Sequence, residues 1–157
     1  MRLPEPSFSI PLSFFIGIVL TLYPLPPILA HGRPEWLSVL LIFWILNHPT
    51  KMGIWTAFIM GLVMDLLMTN TLGVYALSWS VVAYVARLSI RKARVLSLGQ
   101  TSLLILVLIA IGLAVRYLCY SLLGQSQNHW QYWLPALTSA CCWPFVLMSL
   151  QRWRRSC

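Results

Sequence analysis

Six apolar segments, of which the second is short, are separated by short polar connections and constrain this chain of 157 residues more than any other feature. Only 9% of its residues are charged, whereas about a quarter are charged in soluble domains. A soluble domain of this size buries only about 70% of its chain surface, so it could not hide so much apolar area. The composition therefore excludes a soluble globular domain and predicts an all-α integral membrane protein.

The six segments predict six transmembrane helices in a single transmembrane domain over residues 1–157, because a spanning helix needs about 20 mainly apolar residues. The connections are short, so consecutive helices should be neighbours in a compact bundle. The first segment imitates a signal peptide, but its apolar run is too long for one, and we expect a retained helix. The approximate bounds of the six helices are 8–30, 34–46, 53–68, 72–86, 98–123 and 129–150.

Residues at the segment ends support these bounds. Prolines 24, 26 and 27 predict an irregular end to the first helix. Pro34 suits the first position of the second helix, and Glu35 suits its positive N-terminus. Ser97, with Gln100 three residues later, predicts a capping box for the fifth helix. Pro144 is expected to kink the sixth helix.

The distribution of Lys and Arg predicts the orientation. With the N-terminus in the cytoplasm, the inner segments hold nine of the 11 basic residues, the outer loops hold Arg33, and Arg116 lies inside a helix. Both termini are therefore expected in the cytoplasm. A basic cluster follows the fourth helix, and we expect it to meet anionic lipid or, alternatively, a cytoplasmic protein. Its members are Arg87, Arg91, Lys92 and Arg94.

Two charged residues fall inside predicted helices, where a charge marks a functional site by default. Asp65 follows Gly53, Ala57 and Gly61 at intervals of four residues, a stripe of small residues along which another helix can pack closely. Asp65 is either an internal hydrogen-bonded strut or a contact to a partner, a cavity or an ion. Arg116 is predicted to pair with Asp65; alternatively its side chain reaches the outer lipid headgroups.

No catalytic, metal or cofactor site is predicted. The three histidines fall at loops or helix ends on both sides of the membrane, so they do not converge on a metal, a haem or a serine nucleophile. A P-loop and a Gly-x-Ser-x-Gly elbow are absent from the sequence. No loop is long enough for a nucleic-acid-binding module. The four cysteines lack zinc-ligand spacing: Cys119, Cys141, Cys142 and Cys157.

An ordered set of short motifs runs from the second segment to the fourth. It comprises Arg33-Pro34-Glu35-Trp36, Phe43-Trp44-Ile45-Leu46, His48-Pro49-Thr50-Lys51, Gly53, Thr56-Ala57-Phe58, Gly61, Asp65-Leu66, Thr71-Leu72-Gly73-Val74, Ala76-Leu77 and Ala83-Tyr84. This order resembles the rod shape-determining protein MreD family of bacterial inner membranes. The likeness is dense over residues 33–87 and continues as layout alone in the last two helices.

The resemblance implies a non-enzymatic part of the cell-elongation machinery. It implies binding to MreC and, with MreB, RodA and a class B penicillin-binding protein, control of rod shape and lateral peptidoglycan synthesis. It also implies a fold similar to the S components of energy-coupling-factor transporters, so a small-molecule binding or transport protein is the alternative. An enzyme acting on lipid-linked wall precursors is a third hypothesis, with Glu35 and Asp65 as its outer acids. The positions that match the family are Arg33, Pro34, Gly53, Gly61, Asp65, Leu66 and Gly73. The structural or partner-binding candidates are Arg33, Pro34, Gly53, Ala57, Gly61, Asp65, Gly73 and Arg116.

Overall fold

The computed structural model is helical and contains no strand over the residues it describes, which are 6–24, 26–30, 35–68, 71–93, 95–125 and 129–156. Six helices of 12 to 28 residues and one single turn follow in chain order over the described residues. They are α1 (Pro6–Leu22), α2 (Pro27–Ala30), α3 (Trp36–Asn47), α4 (Ile54–Leu67), α5 (Val74–Ala93), α6 (Leu98–Leu122) and α7 (His129–Ser156). Three of the predicted site residues, Arg33, Pro34 and Arg94, lie outside the described residues.

The first segment is not one helix. The prolines that predict an irregular end do end α1 at Leu22, and the chain resumes helical geometry only in the single turn α2. A proline lacks the backbone N–H that a continuing helix needs, and it pushes the preceding residue out of the helical region. The expectation of a helix reaching residue 30 is therefore wrong.

The fourth predicted helix is longer than its apolar segment. It was expected to end at residue 86, but α5 continues to Ala93. No glycine or proline interrupts this stretch, and Arg and Lys are good helix formers that also suit a helix C-terminus. The basic residues Arg87, Arg91 and Lys92 therefore project from the last turns of α5, not from a loop.

The short helix α3 forms the centre of the bundle. It contacts α1, α5, α6 and α7, and its residues Leu41, Ile42 and Ile45 are fully buried. Its sequence is apolar around its whole circumference, as expected for a helix surrounded by others. The helices α4, α5, α6 and α7 pack on one another in chain order, while α1 makes its main contact with α3.

The lengths of the helices can be compared with the six predicted transmembrane spans. Among the described residues, one helix is long and apolar enough to cross a membrane, over Gly99–Leu122 of α6, with a mean hydropathy of 2.4. Three further stretches are apolar but shorter, namely Phe8–Leu22, Trp36–Asn47 and Ile54–Leu67. They fall below the roughly 20 residues of a standard span.

The helices share two ends, which we name by residues. Arg116, Tyr75 and Ser139 gather around Glu35 at one end, the Glu35 end. At the other end, the Arg87 end, a Cβ atom placed on Gly53 would lie 4.0 Å from Nη1 of Arg87.

Candidate functional site

Asp65 caps the start of α5. Its side chain is almost completely buried. Oδ2 accepts hydrogen bonds from the backbone N–H groups of Gly73 (2.9 Å) and Ala76 (3.3 Å), and Oδ1 accepts one from Tyr75 (3.0 Å). A carboxylate at this place satisfies N–H groups that a helix leaves unpaired and lies at the positive end of its dipole. The Asp65 carboxylate is thus the hydrogen-bonded strut that the sequence analysis offered as one interpretation.

Gly73 fits the same arrangement. Its φ is +98°, a backbone conformation that side chains with a Cβ atom rarely adopt. This turn directs the N–H groups of the chain entering α5 towards Asp65. The predicted importance of Gly73 therefore has a conformational explanation.

The small-residue stripe of α4 packs inside the bundle. A Cβ atom on Gly61 would lie 2.4 Å from Cα of Ala76, which is closer than any real contact. Ala57 and Ala76 are both fully buried. The backbones of α4 and α5 therefore approach each other at Gly61, and this part of the stripe faces a neighbouring helix of the same chain.

Arg116 pairs with Glu35, so the predicted pairing with Asp65 is wrong. The Nη2 atom of Arg116 donates to Oε1 of Glu35, and the Arg116 side chain is only 5% exposed. The guanidinium group also lies over the ring of Tyr75, 4.7 Å from its centroid. Because the carboxylate of Asp65 is already occupied by three backbone donors, Glu35 is the acid left to compensate the buried cation.

Two serines complete this cluster. Ser38, one turn into α3, donates from its hydroxyl to Oε2 of Glu35 at 2.7 Å. The hydroxyl of Ser139 on α7 accepts the backbone N–H of Glu35 at 2.8 Å. The cluster therefore links the start of α3 to α5, α6 and α7, and its side-chain charges sum to zero. We call Glu35, Ser38, Tyr75, Arg116 and Ser139 the polar cluster.

A half-open crevice of about 270 Å³ lies beside the polar cluster. Glu35 and Arg116 form part of its wall, and Leu37, Met64 and Trp79 give it an apolar side. Trp79 is 2% exposed, and its indole Nε1 has no hydrogen-bond partner among the described residues. Buried donors are nearly always paired. The unpaired N–H of Trp79, a residue that lines the crevice, therefore lacks the hydrogen-bond acceptor that a buried donor normally has.

An apolar groove of about 440 Å³ runs between α1 and α7 over α3. Its lining includes Ile16 and Leu20 of α1, Leu40 of α3 and Phe145 of α7. Trp36, the first residue of α3, lines both this groove and the crevice. The two cavities therefore adjoin at one side chain.

The face of α1 turned away from α3 carries a regular apolar row. Its members are spaced by four, three, four and three residues, and each is at least half exposed. This spacing is that of the a and d positions in a coiled coil. We call the row the α1 seam; it consists of Phe8, Leu12, Phe15, Val19 and Leu22.

The Arg87 end is basic. Arg87, Arg91 and Lys92 are exposed on the last turns of α5. Lys51 is exposed in the connection before α4. The described part of the cluster is therefore a solvent-facing or headgroup-facing surface, and it is separate from the polar cluster at the other end.

The described residues contain no group of three or more His, Cys, Asp or Glu side chains that could hold a metal ion. His48 instead stacks on Trp44, with ring centroids 5.6 Å apart. Cys119, Cys141 and Cys142 are free thiols. The polar cluster offers a charge-neutral pair, hydroxyl groups and an aromatic face.

The sequence analysis missed Glu35, Ser38, Tyr75 and Ser139 as partners of the Arg116 region. A signal was available, because Glu35 and Asp65 are the two acids expected on the same side of the membrane as Arg116. Glu35 was expected to suit a helix N-terminus and, in the enzyme hypothesis, to act as an outer acid, but its pairing with Arg116 was not predicted. The predicted depth of Arg116 along its helix therefore placed it at the correct end of the bundle, but it did not show that Glu35 is its ion-pair partner.

These features define a class. Large apolar side chains cover much of the exterior, including Phe8, Trp55 and Phe145, while two buried charges lie inside. Charges inside and apolar groups outside are typical of a helical membrane protein.

Comparison with known proteins then specifies the family. The profile of the rod shape-determining protein MreD family matches residues 5–153. The chain is 37% identical to rod shape-determining protein MreD of Haemophilus influenzae over 145 residues, covering 92% of this chain and 90% of that protein. No solved structure matches the chain. The chain belongs to the MreD family, as the motif order predicts, and it is a membrane protein with a role in determining rod shape.

Proposed function

We propose that this chain is a non-enzymatic scaffold of the cell-elongation complex that docks the single transmembrane helix of MreC along the α1 seam. Family membership supplies the role in rod shape. The observation that supports the docking surface is the α1 seam itself, since it is a regular apolar row on a helix whose main contact is with α3 alone.

The spacing of the α1 seam favours a helix as the occupant. Residues at a and d positions of one helix insert between four residues of a facing helix, and most membrane bundles pack with this left-handed geometry. The seam spans 15 residues, Phe8–Leu22, which is about 21 Å at 1.5 Å per residue. A partner helix can thus follow it through most of the hydrocarbon layer.

The packing of the small-residue stripe of α4 also favours docking at the α1 seam, because Gly61 of the stripe already packs against α5. A stripe of small residues such as Gly53, Ala57 and Gly61 suits either internal packing or the docking of a partner helix. Gly61 lies against the backbone of Ala76, and Ala57 has no exposed surface. A partner helix would have to displace α5 to reach them, whereas it can reach the α1 seam directly.

In this proposal the chain crosses the inner membrane six times, with both termini in the cytoplasm. The short helix α3 lies within the bundle of longer ones, where protein neighbours replace part of the lipid contact. The basic Arg87 end then lies at the cytoplasmic face, as the positive-inside rule expects, and the Glu35 end faces outwards. Anionic lipid near the cytoplasmic face would favour this orientation.

The scaffold acts through its partner. A docked MreC carries the link to MreB, to RodA and to the class B penicillin-binding protein, and the complex directs lateral peptidoglycan synthesis. The polar cluster has a structural role in this scheme, because it ties four helices together at the end of the bundle that faces the site of wall synthesis.

The crevice favours a second candidate, an S-component-like small-molecule binder. It is open, it has charged and aromatic walls, and it lies at one end of the bundle. Its volume of about 270 Å³ lies just below the roughly 300–1,000 Å³ of common ligand pockets. The scaffold is the better supported function, because family membership supplies the role in rod shape.

The experiment compares two double variants in the host, with the tagged chain as the sole copy. Leu12→Ala with Phe15→Ala removes the centre of the α1 seam. Leu103→Ala with Leu118→Ala removes the same kind of exposed apolar side chain from α6. The seam variant is expected to lose MreC recovery and rod shape at normal protein level, while the α6 variant keeps both. Equal recovery of MreC by the two variants would refute docking at the seam.

A further inference from the structure

We propose that the crevice and the adjoining groove together hold one phospholipid with a zwitterionic headgroup. The headgroup lies in the crevice, with its ammonium group at Glu35 and its phosphate towards Arg116 and Trp79. One acyl chain passes over Trp36 into the groove between α1 and α7. This site is separate from the α1 seam and does not depend on MreC binding.

Charge in the crevice selects the headgroup. Glu35 and Arg116 both line the cavity, and their charges cancel. An anionic headgroup would meet the carboxylate of Glu35, whose side chain is 17% exposed, and a purely cationic ligand would meet the guanidinium group of Arg116. A zwitterion presents an ammonium group to the one and a phosphate to the other, so each charge meets its opposite.

The unpaired indole of Trp79 gives an independent argument. Trp79 lines the crevice, and its buried Nε1 has no acceptor among the described residues. Leaving a buried donor unpaired is unfavourable, and an oxygen atom of a bound ligand removes the penalty. The phosphate and ester oxygens of a phospholipid are acceptors only, which matches the donor that Trp79 offers.

The groove supplies room for a chain but not for a helix. It is lined mainly by apolar side chains, among them Ile16 and Phe145, and its lining on α1 extends over about two turns, from Ser13 to Leu20. A helix about 10 Å across occupies roughly 400 Å³ for each turn, so the groove's 440 Å³ holds only about one turn. An acyl chain is much thinner and can extend along the groove.

Trp36 connects the two parts of the site. It is the one residue of α3 that opens that helix, and it lines both the crevice and the groove. Glu35 precedes Trp36 in the sequence, so a headgroup bound at Glu35 lies close to the part of the groove that Trp36 lines. Because the two cavities meet at Trp36, one ligand that occupies both is favoured over two separate ligands.

The test measures which lipid the protein retains. The full chain, purified in mild detergent, is stripped of lipid and offered phosphatidylethanolamine or phosphatidylglycerol at equal concentration, and bound lipid is counted by native mass spectrometry. One phosphatidylethanolamine molecule per chain is expected, with about tenfold weaker retention of phosphatidylglycerol, the size of losing one charge-assisted hydrogen bond. Equal retention of the two lipids would overturn the proposal.

Two variants and a control locate the lipid. Ile16→Trp fills the groove from its half-exposed rim without touching the polar cluster, and Glu35→Gln removes the negative charge that faces the ammonium group. Both are expected to lower phosphatidylethanolamine retention about tenfold. Leu103→Trp, on the exposed face of α6, should retain it fully. If Glu35→Gln does not fold, Ile16→Trp decides the outcome, since unchanged retention by that variant contradicts the groove.

A headgroup without chains separates the lipid from a small polar ligand. Glycerophosphoethanolamine carries the same ammonium group and singly charged phosphodiester but no acyl chain. Weak or undetectable binding of glycerophosphoethanolamine is expected, because the groove contributes apolar contact that this molecule cannot make. Binding of glycerophosphoethanolamine as tight as that of the lipid would show a small-molecule site and overturn the proposal.

Discussion

Arg116 and Glu35 are 81 residues apart in the chain, and their side chains form an ion pair inside the bundle. The pair connects α6 to the residue that precedes α3, and the ring of Tyr75 on α5 covers the guanidinium group. Three sequence-distant helices are thus fixed at one point. Loss of either charge should affect the whole Glu35 end and not one helix alone.

Breaking this pair should destabilise the protein. Arg116→Met leaves a mostly buried carboxylate without its cation, and Glu35→Gln leaves a buried guanidinium group without its anion. Each single change is expected to lower the free energy of unfolding by about 3 kcal/mol, as when one partner of a buried pair is removed. Thermal unfolding of the purified protein in mild detergent measures the change.

The double variant is the control for this prediction. Arg116→Met combined with Glu35→Gln removes both charges, so no buried charge is left unpaired. Its loss of stability should be clearly smaller than the sum of the two single losses. Strictly additive losses would mean that the two side chains do not interact.

The Asp65 carboxylate should be essential to the start of α5. Asp65→Ala leaves the N–H groups of Gly73, Tyr75 and Ala76 without their acceptor, and we expect a loss of about 3 kcal/mol or more. Asp65→Asn keeps one acceptor oxygen and should lose less. Hydrogen exchange at the amides of residues 73–76 measures the opening directly. Unchanged protection of these amides in Asp65→Ala would contradict the capping role.

Two glycine-to-alanine changes provide a matched pair. Gly61→Ala forces a methyl group against the backbone of Ala76 and should cost about 1–3 kcal/mol, as for overpacking elsewhere. Gly99→Ala in α6 meets no atom within 4 Å and should be neutral or slightly stabilising. Gly61→Leu should separate α4 from α5 altogether. The thermal stability of the three variants in one detergent tests the ranking.

The helices were predictable from apolar segments and breakers, but the partners of the charges were not. Asp65 and Arg116 lie near the same end of the bundle, as their positions along the helices predict. Depth alone does not show which acid a cation meets. The free N–H groups that follow Gly73 occupy Asp65, and only the tertiary structure reveals that Arg116 points to Glu35.

The end of the fourth predicted helix, which lies among basic residues, was also predicted wrongly. Apolarity falls after Ala86, which predicted an end to the fourth helix there, but α5 continues to Ala93. Helical hydrogen bonding does not require apolar side chains, since Arg and Lys have good helix propensity. In contrast, Ser97 and Gln100 marked the start of α6 correctly, and the Ser97 N–H donates to Oε1 of Gln100 at 3.2 Å.

The proposed orientation predicts opposite labelling of the two ends of α6. In a variant whose four native cysteines are replaced by serine, Gln125→Cys should react with a membrane-impermeant maleimide applied from outside. Gln100→Cys should react only after the inner membrane is made permeable. Both positions are exposed, so differences in reactivity report sidedness. Labelling of Gln100→Cys in intact cells would show that the orientation is the opposite of the one proposed.

Photo-crosslinking in living cells tests the docking of MreC on the α1 seam most directly. A photoreactive amino acid replaces Phe15 on the seam or Leu118 on the exposed face of α6, and mass spectrometry identifies the adducts. The account predicts that position 15 captures the transmembrane helix of MreC and that position 118 captures lipid. Capture of MreC at position 118, with lipid alone at position 15, would contradict it.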